Sequence, residues 1–381
     1  MALLETSAIT DEERVTALAD ALLRDVPPRS ASASEFLGAQ FDRGLAWVHF
    51  PEGHGGLGLN PKLQKAVDDR LFAAGAPNPV YRNPIGHGMC GPTVVAWGTE
   101  DQKRRYLRPL FTGEEIWCQL FSEPGSGSDF AGLSSRGVRD GDEWVVNGQK
   151  VWTTLAHLSR WGLLVVRTDS EAVKHAGLTA FVVDMHDPTV EVRPLRQMTG
   201  EAEFNEVFFD QVRVPRANVV GRPGDGWKIA MGILAHERGP MWAFMFHGYI
   251  SEDLSNLIAL AKRRGLDADP RLRERLARAW TDVEVMRLLG SRSLTAETRG
   301  EPIGPKTSLE KLFGSELSQR LRDLTMDVLG AEGLLGMEDS RADWEGRWQR
   351  FWLFSRADTI MGGTSEIQRQ VIAHQLLGLP R

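Results

Sequence analysis

The apolar positions along this chain change their period twice. From residue 11, the run DEERVTALADALLRDV sets Val15, Leu18, Leu22 and Leu23 on one helical face, and Pro27-Pro28 stops it. Short helices of this kind continue to about residue 118. Strand patterning then takes over to about 223. The stretches 161–167 (WGLLVVR), 177–184 (GLTAFVVD), 190–193 and 207–214 are apolar and separated by turn residues. Trp144-Val145-Val146 and Gln149-Lys150-Val151-Trp152 flank Asn147-Gly148, a pair that tolerates positive φ, so a hairpin turn is predicted there. Beyond 224 the helical period returns in longer runs. Helices are predicted over 227–260, with Pro240 starting or kinking one, and over 269–299, with Pro270 in the first turn. Further helices are predicted over 307–329 and 364–377, the last stopped by Gly378. Trp344, Trp348 and Trp352 recur every four residues, which predicts one helical face used for core or interface.

This order predicts an α+β fold in three parts. An N-terminal helical domain covers 1–118, a central antiparallel β-barrel or sandwich covers 119–223, and a C-terminal four-helix bundle covers 224–381.

Charge and composition narrow the function. A net charge of −6 with no basic tail argues against nucleic-acid binding, which needs clustered Lys and Arg. The two cysteines, Cys90 and Cys118, make neither a disulfide framework nor a four-ligand zinc site, and read as buried, reduced thiols. His54, His87 and His175 have no metal-ligand spacing. No apolar run is long enough for a membrane span and the N-terminus has no leader pattern, so a cytoplasmic protein is expected. The glycine-rich loop at 52–60 (EGHGGLGLN) follows no strand and reads as a turn-rich connection, not a dinucleotide fingerprint.

Three motifs carry chemistry. Residues 123–129 read EPGSGSD, a sharp bend that exposes backbone N–H groups able to bond carbonyl or phosphate oxygens. Residues 147–154 read NGQKVWTT, with Trp152, Thr153 and Thr154 closing a strand. Residues 362–369 read GGTSEIQR, where Thr364 suits an N-cap and the helix N-terminus favours an anion.

In this order and spacing, the three motifs resemble the acyl-CoA dehydrogenase family over nearly the whole chain. The resemblance implies bound FAD. It implies that Gln119, Phe121, Ser122, Gly127 and Ser128 line the flavin, with Ser128 also facing the thioester arm; some relatives carry an aromatic residue at the position of Gln119. It puts the Trp152 indole against the flavin ring and a Thr153 or Thr154 hydroxyl and backbone N–H at the ring's polar edge. Thr364 and Glu366 are implied on the phosphate and ribityl side.

The best-known members carry their catalytic glutamate where this chain has Gly362. A minority branch, including isovaleryl-CoA-type dehydrogenases, carries it on the helix after the β domain, and Glu237 in LAHERG (234–239) matches that position. The resemblance therefore implies Glu237 as base. Gly362 keeps a backbone N–H for the thioester carbonyl, and Arg238 and Gly363 lie on the substrate side. The implied reaction is α,β-dehydrogenation of an acyl-CoA to a trans-2-enoyl-CoA, with electrons passed to an electron-transfer flavoprotein. Two alternatives stay open: a flavin oxidase or monooxygenase of the same fold, and a non-catalytic flavin-binding subunit of a mixed oligomer. The Arg-x-x-Phe-Gly segment that reaches a neighbouring subunit's cofactor in many relatives is replaced by 262–275 (KRRGLDADPRLRER), with Arg271 or Arg273 as the substitute. Gly330, in DVLG (327–330), aligns with another such contact. Subunit sharing of this kind implies a homodimer or homotetramer.

Overall fold

A computed structural model describes residues 10–237, 240–299, 301 and 304–380; side chains 235–237, 240–245, 297 and 298 are also outside the description. Helices α1 (Asp11–Asp25), α2 (Ala33–Asp42), α3 (Leu63–Ala73), α4 (Pro79–Arg82), α5 (Gly91–Trp97) and α6 (Glu100–Thr112) come first. The strands follow: β1 (Trp117–Leu120), β2 (Arg136–Asp140), β3 (Glu143–Thr154), β4 (Trp161–Arg167), β5 (Leu178–Asp184), β6 (Val190–Leu195), β7 (Phe204–Pro215) and β8 (Val219–Val220). The chain ends in α7 (Gly226–Glu237), α8 (Pro240–Arg263), α9 (Pro270–Thr298), α10 (Thr307–Leu329), α11 (Arg347–Asp358) and α12 (Ser365–Val371). The fold class is α+β, as the pattern predicts.

Two compact units result, Met1–Leu195 with Ala202–Ile233, and Arg196–Glu201 with Leu234–Arg381. In the first unit the leading helices start as their sequences dictate. Thr10 and Glu13 form a capping box at α1, Ser32 caps α2, and Thr99 with Gln102 form a second capping box at α6. Val15, Ala19 and Leu22 are fully buried on α1, while Leu18 and Leu23 pack at its flank.

The sheet runs β6-β7-β3-β2-β4-β5-β8, with β1 added alongside β4. Most pairings are antiparallel, but β1 and β2 each meet β4 in parallel, so the sheet is mixed where an antiparallel one was expected. β4 shows why the run WGLLVVR has no polar alternation. Its Trp161, Leu163 and Val165 enter one core with the N-terminal helices, while Leu164 and Val166 enter a second core against Phe181 and Val183. A strand buried on both faces reads as continuously apolar.

The predicted hairpin at Asn147-Gly148 is absent, because β3 runs straight through it. The turn lies earlier, at Gly141-Asp142, where Asp140 pairs with Glu143 and Gly141 has φ +61°. Asn147-Gly148 instead marks a register shift against β7. Both readings use the pair's tolerance of unusual φ, and Gly141-Asp142, a glycine-containing pair directly after β2, supplies the turn instead.

The second unit packs α8, α9 and α10 around Ile250, Leu257, Met286, Leu317 and Leu321. Pro240 begins a helix, and 307–329 is helical as predicted. Trp344 does not share a helix with Trp348 and Trp352. It lies in a tight turn with φ +53°, followed by Glu345 at φ +55° and Gly346 at φ +72°. A left-handed turn breaks the fourfold spacing, so α11 begins only at Arg347. Trp348 is buried, and the Trp352 indole donates to Asp323 Oδ1 at 2.7 Å.

Both cysteines are free and buried, and burial pushes the Cys118 thiol up to about 12. Among the described residues no helix is long and apolar enough to cross a membrane, and no group of three or more His, Cys, Asp or Glu side chains gathers as a metal site.

Candidate active site

The first unit brings two of the motifs together. β1 ends at Leu120 and leads through Phe121 and Ser122 into the EPGSGSD bend. The Val151 N–H donates to Ser122 O at 2.9 Å, which ties the start of that bend to the end of β3. Lys150 makes the tie a buried one: its ammonium donates to Phe121 O at 3.0 Å and to Glu123 Oε1 at 2.8 Å. Glu123 also accepts from the Ser134 and Ser135 N–H groups at 2.6 and 3.0 Å. Burial alone would raise the Glu123 pKa, but the Lys150 charge and these hydrogen bonds hold the carboxyl down at about 2. Burial pushes Lys150 down to about 8, against the attraction of Glu123. At neutral pH both remain charged, so an ion pair pins the bend. Sequence reading passed over this pair, although both partners stand inside the quoted motifs.

On this frame Gly127 and Ser128 are exposed, Phe121 is buried, and Gln119, Ser122 and Thr154 are partly buried. Trp152 is 62% exposed and has φ +60°, a conformation that a bulky residue rarely adopts. Next to it Thr153 is buried, and its hydroxyl has no hydrogen-bond partner in the chain. An exposed aromatic face beside an unpaired buried hydroxyl and a loop of accessible backbone fits a large, flat, polar-edged cofactor.

The second unit holds the third motif. Gly362 and Gly363 have φ of +66° and +93°, and a Cβ at 363 would overlap the Gln368 amide. Gln368 Nε2 donates to the carbonyls of both glycines, at 3.1 and 3.2 Å. Thr364 is the N-cap of α12, accepting from Ile367 N at 3.3 Å, as predicted. Glu366 is exposed, and its own backbone N–H and Thr364 keep its carboxyl below the usual range. Thr364, Ser365 and Glu366 border a polar cleft of about 580 Å³ shared with Gln319, Arg320 and Thr359. Ser365 is buried there with an unpaired hydroxyl, a feature the sequence did not single out. Arg271 is exposed in the first turn of α9, and Gly330 follows the end of α10 at φ +58°. Glu237 closes α7, but its side chain and the whole of Arg238 lie outside the described residues.

Three family models match this chain in succession: the acyl-CoA dehydrogenase N-terminal domain over 12–114, the middle domain over 118–212 and the C-terminal domain over 224–377. The chain belongs to the acyl-CoA dehydrogenase family. Members are FAD-dependent oxidoreductases, and the orphaned Thr153 hydroxyl beside the exposed indole is consistent with that cofactor. Among its relatives is the acyl-CoA dehydrogenase IpdE1 of Mycobacterium tuberculosis, 45% identical over 338 residues, covering 89% of this chain and 86% of that protein. A solved Tcur3481-Tcur3483 steroid acyl-CoA dehydrogenase matches with a TM-score of 0.79 and 29% identity over 100% of both chains. The ChsE4-ChsE5 complex from Mycobacterium tuberculosis matches with a TM-score of 0.73 and 29% identity, covering 99% of this chain and 100% of that one.

Proposed function

We propose that the chain catalyses α,β-dehydrogenation of an acyl-CoA thioester, with Glu237 as base. The observation that carries this reading is the exchange of positions: glycine at 362, where the best-known members place their glutamate, and glutamate at 237, at the end of α7. Glu237 takes the α-proton, and the backbone N–H of Gly362 stabilises negative charge growing on the thioester oxygen. Bound FAD supplies a two-electron acceptor for the hydride leaving Cβ. Trp152, Thr153 and Thr154, with Gln119, Phe121, Ser122, Gly127 and Ser128, seat the flavin; Thr364 and Glu366 hold its phosphate and ribityl side. Arg238, Gly363 and Ser128 serve the thioester arm. An electron-transfer flavoprotein reoxidises the enzyme.

The test is an anaerobic titration with a panel of acyl-CoA thioesters, followed by bleaching of the visible flavin absorbance. Wild type is expected to bleach, and Glu237→Gln to bleach at least 100-fold more slowly, the usual scale for losing a general base. Bleaching at the wild-type rate in the variant would remove Glu237 from the mechanism.

A second reading concerns assembly. The segment that replaces Arg-x-x-Phe-Gly has most of its arginines tied to acids of the same chain. Arg275 pairs with Asp327 at 2.6 Å, Arg264 pairs with Glu332, and Arg263 pairs with Asp343 at 3.2 Å. Such pairs leave Arg271 and Arg273, both exposed, to meet a phosphate from a neighbour. Two structural relatives carry paired names, Tcur3481-Tcur3483 and ChsE4-ChsE5 complex. Both facts favour a mixed oligomer with a second related subunit over a homodimer or homotetramer. Mass and flavin content of the chain purified alone decide it: a homo-oligomer with one FAD per chain contradicts the mixed assembly.

A further inference from the structure

We propose that Asn205 and His157 are positioning residues that hold Trp152-Thr153-Thr154 in the shape that receives the flavin; this rests on the reading above that these residues seat the ring. Asn205 stands on β7 and is fully buried. Its Nδ2 donates to Thr153 O at 3.0 Å and to Glu203 O at 3.1 Å. Its Oδ1 meets His157 Nδ1 at 3.2 Å, and since a carbonyl oxygen only accepts, the imidazole donates. Two of these three hydrogen bonds, to Thr153 and His157, are directed at one short segment.

That segment needs holding. Trp152 and Leu155 have φ of +60° and +58°, and they bracket Thr153 and Thr154 on both sides. Non-glycine residues keep such a conformation only when their surroundings enforce it. Here β7 and the residue just before it supply the enforcement. The Leu155 N–H donates to Glu203 O at 2.8 Å, and Asn205 grips the carbonyl between the two left-handed residues. Ser159 Oγ adds a bond to Leu155 O at 2.9 Å. The result is an indole turned outward and a Thr153 hydroxyl left buried without a partner. An apolar residue at 205 would fill the same space but leave the Thr153 carbonyl unpaired, so the segment would relax toward regular strand geometry. His157 is exposed and orients the amide from outside the core.

The experiment uses the full chain labelled with 5-fluorotryptophan, with Trp152→Phe assigning the ¹⁹F resonance of that indole. Two readouts are taken for His157→Phe and Asn205→Asp: the position of that resonance in the FAD-free protein, and the Kd for FAD. Asparagine-to-aspartate keeps size and the acceptor for His157 but removes the donor to Thr153 O. The resonance is expected to move in both variants. The FAD Kd is expected to rise at least tenfold in Asn205→Asp and about threefold in His157→Phe, with unchanged far-ultraviolet circular dichroism. Either readout remaining at its wild-type value in both variants overturns the proposal. Should Asn205→Asp fail to fold, His157→Phe decides alone, because its side chain is on the surface. Wild-type protein that binds no FAD would instead overturn the flavin reading, and the proposal with it.

Discussion

The ladder between β3 and β7 is interrupted twice, and the two interruptions are built alike but placed differently. At the first, between Val146 and Gly148, the extra residue belongs to β7: Gln211, at φ +54°. Asn147 closes it, accepting from Gln211 N and Nε2, both at 2.9 Å. At the second, between Lys150 and Thr153, the extra residue belongs to β3: Trp152, at φ +60°. Asn205 closes that one from β7. The first is exposed at Gln211 and accommodates twist. The second is sealed underneath by a buried asparagine and pushes a large aromatic side chain outward. Strain at the first is explained by sheet geometry, whereas strain at the second leaves the indole 62% exposed, with one edge-on ring contact to Phe204. Its use lies in what the indole and the neighbouring hydroxyl then meet.

The largest effect is expected midway between the two. Lys150→Met leaves the Glu123 carboxylate buried and unpaired, which costs about 3–5 kcal/mol in denaturant unfolding. It should loosen the second interruption and the EPGSGSD bend together, lowering flavin content as well. The same pair sets an acid limit. Glu123 is depressed in the folded state to about 2 from an ordinary value of 4.5. Its contribution is therefore complete above the ordinary value and is lost as pH falls through the folded one. Wild type should destabilise between these limits more steeply than Glu123→Gln, as read by unfolding midpoints across pH. A parallel decline in both proteins would assign acid sensitivity to other carboxylates.

Gly148→Ala should cost about 2–4 kcal/mol, because a Cβ there overlaps Ser135 Oγ and Cα at φ +150°. The damage should stay at the first interruption, with FAD affinity of the folded fraction unchanged. A smaller loss, about 0.5–1.5 kcal/mol, is expected for Asn147→Ala, which removes hydrogen bonds at an exposed site. A fall in FAD affinity from either variant would show that the two interruptions act as one element.

Much of this was legible before the structure. The Thr364 cap, Pro240 and the 307–329 period located helices because they are local signals. The three motifs located the family. The interruptions themselves were hidden, since a bulge is defined by two strands far apart in sequence: Asn147 faces Gln211, and Thr153 faces Asn205. Asn-Gly announced an unusual φ without saying whether the chain would turn or merely bulge. The parallel pairing of β1 with β4 was equally invisible, because both strands are short apolar runs with no direction written into them. Nothing within NGQKVW says that Lys150 turns inward; its partner Glu123 stands on a different motif.

If Trp152 seats the flavin as proposed, its strain serves the cofactor and not the fold. The direct test is a cycle of Trp152→Gly and FAD, with unfolding free energy measured for both proteins without and with the cofactor. Relief of a left-handed Trp, about 1–2 kcal/mol, should nearly offset the added chain freedom of glycine, about 0.5–1 kcal/mol. The FAD-free variant is thus predicted to lie within about 1 kcal/mol of wild type, while most of the stabilisation by FAD disappears. A variant that loses more than about 3 kcal/mol without FAD, yet gains as much from FAD as wild type, would contradict the account and make the indole an ordinary packing residue.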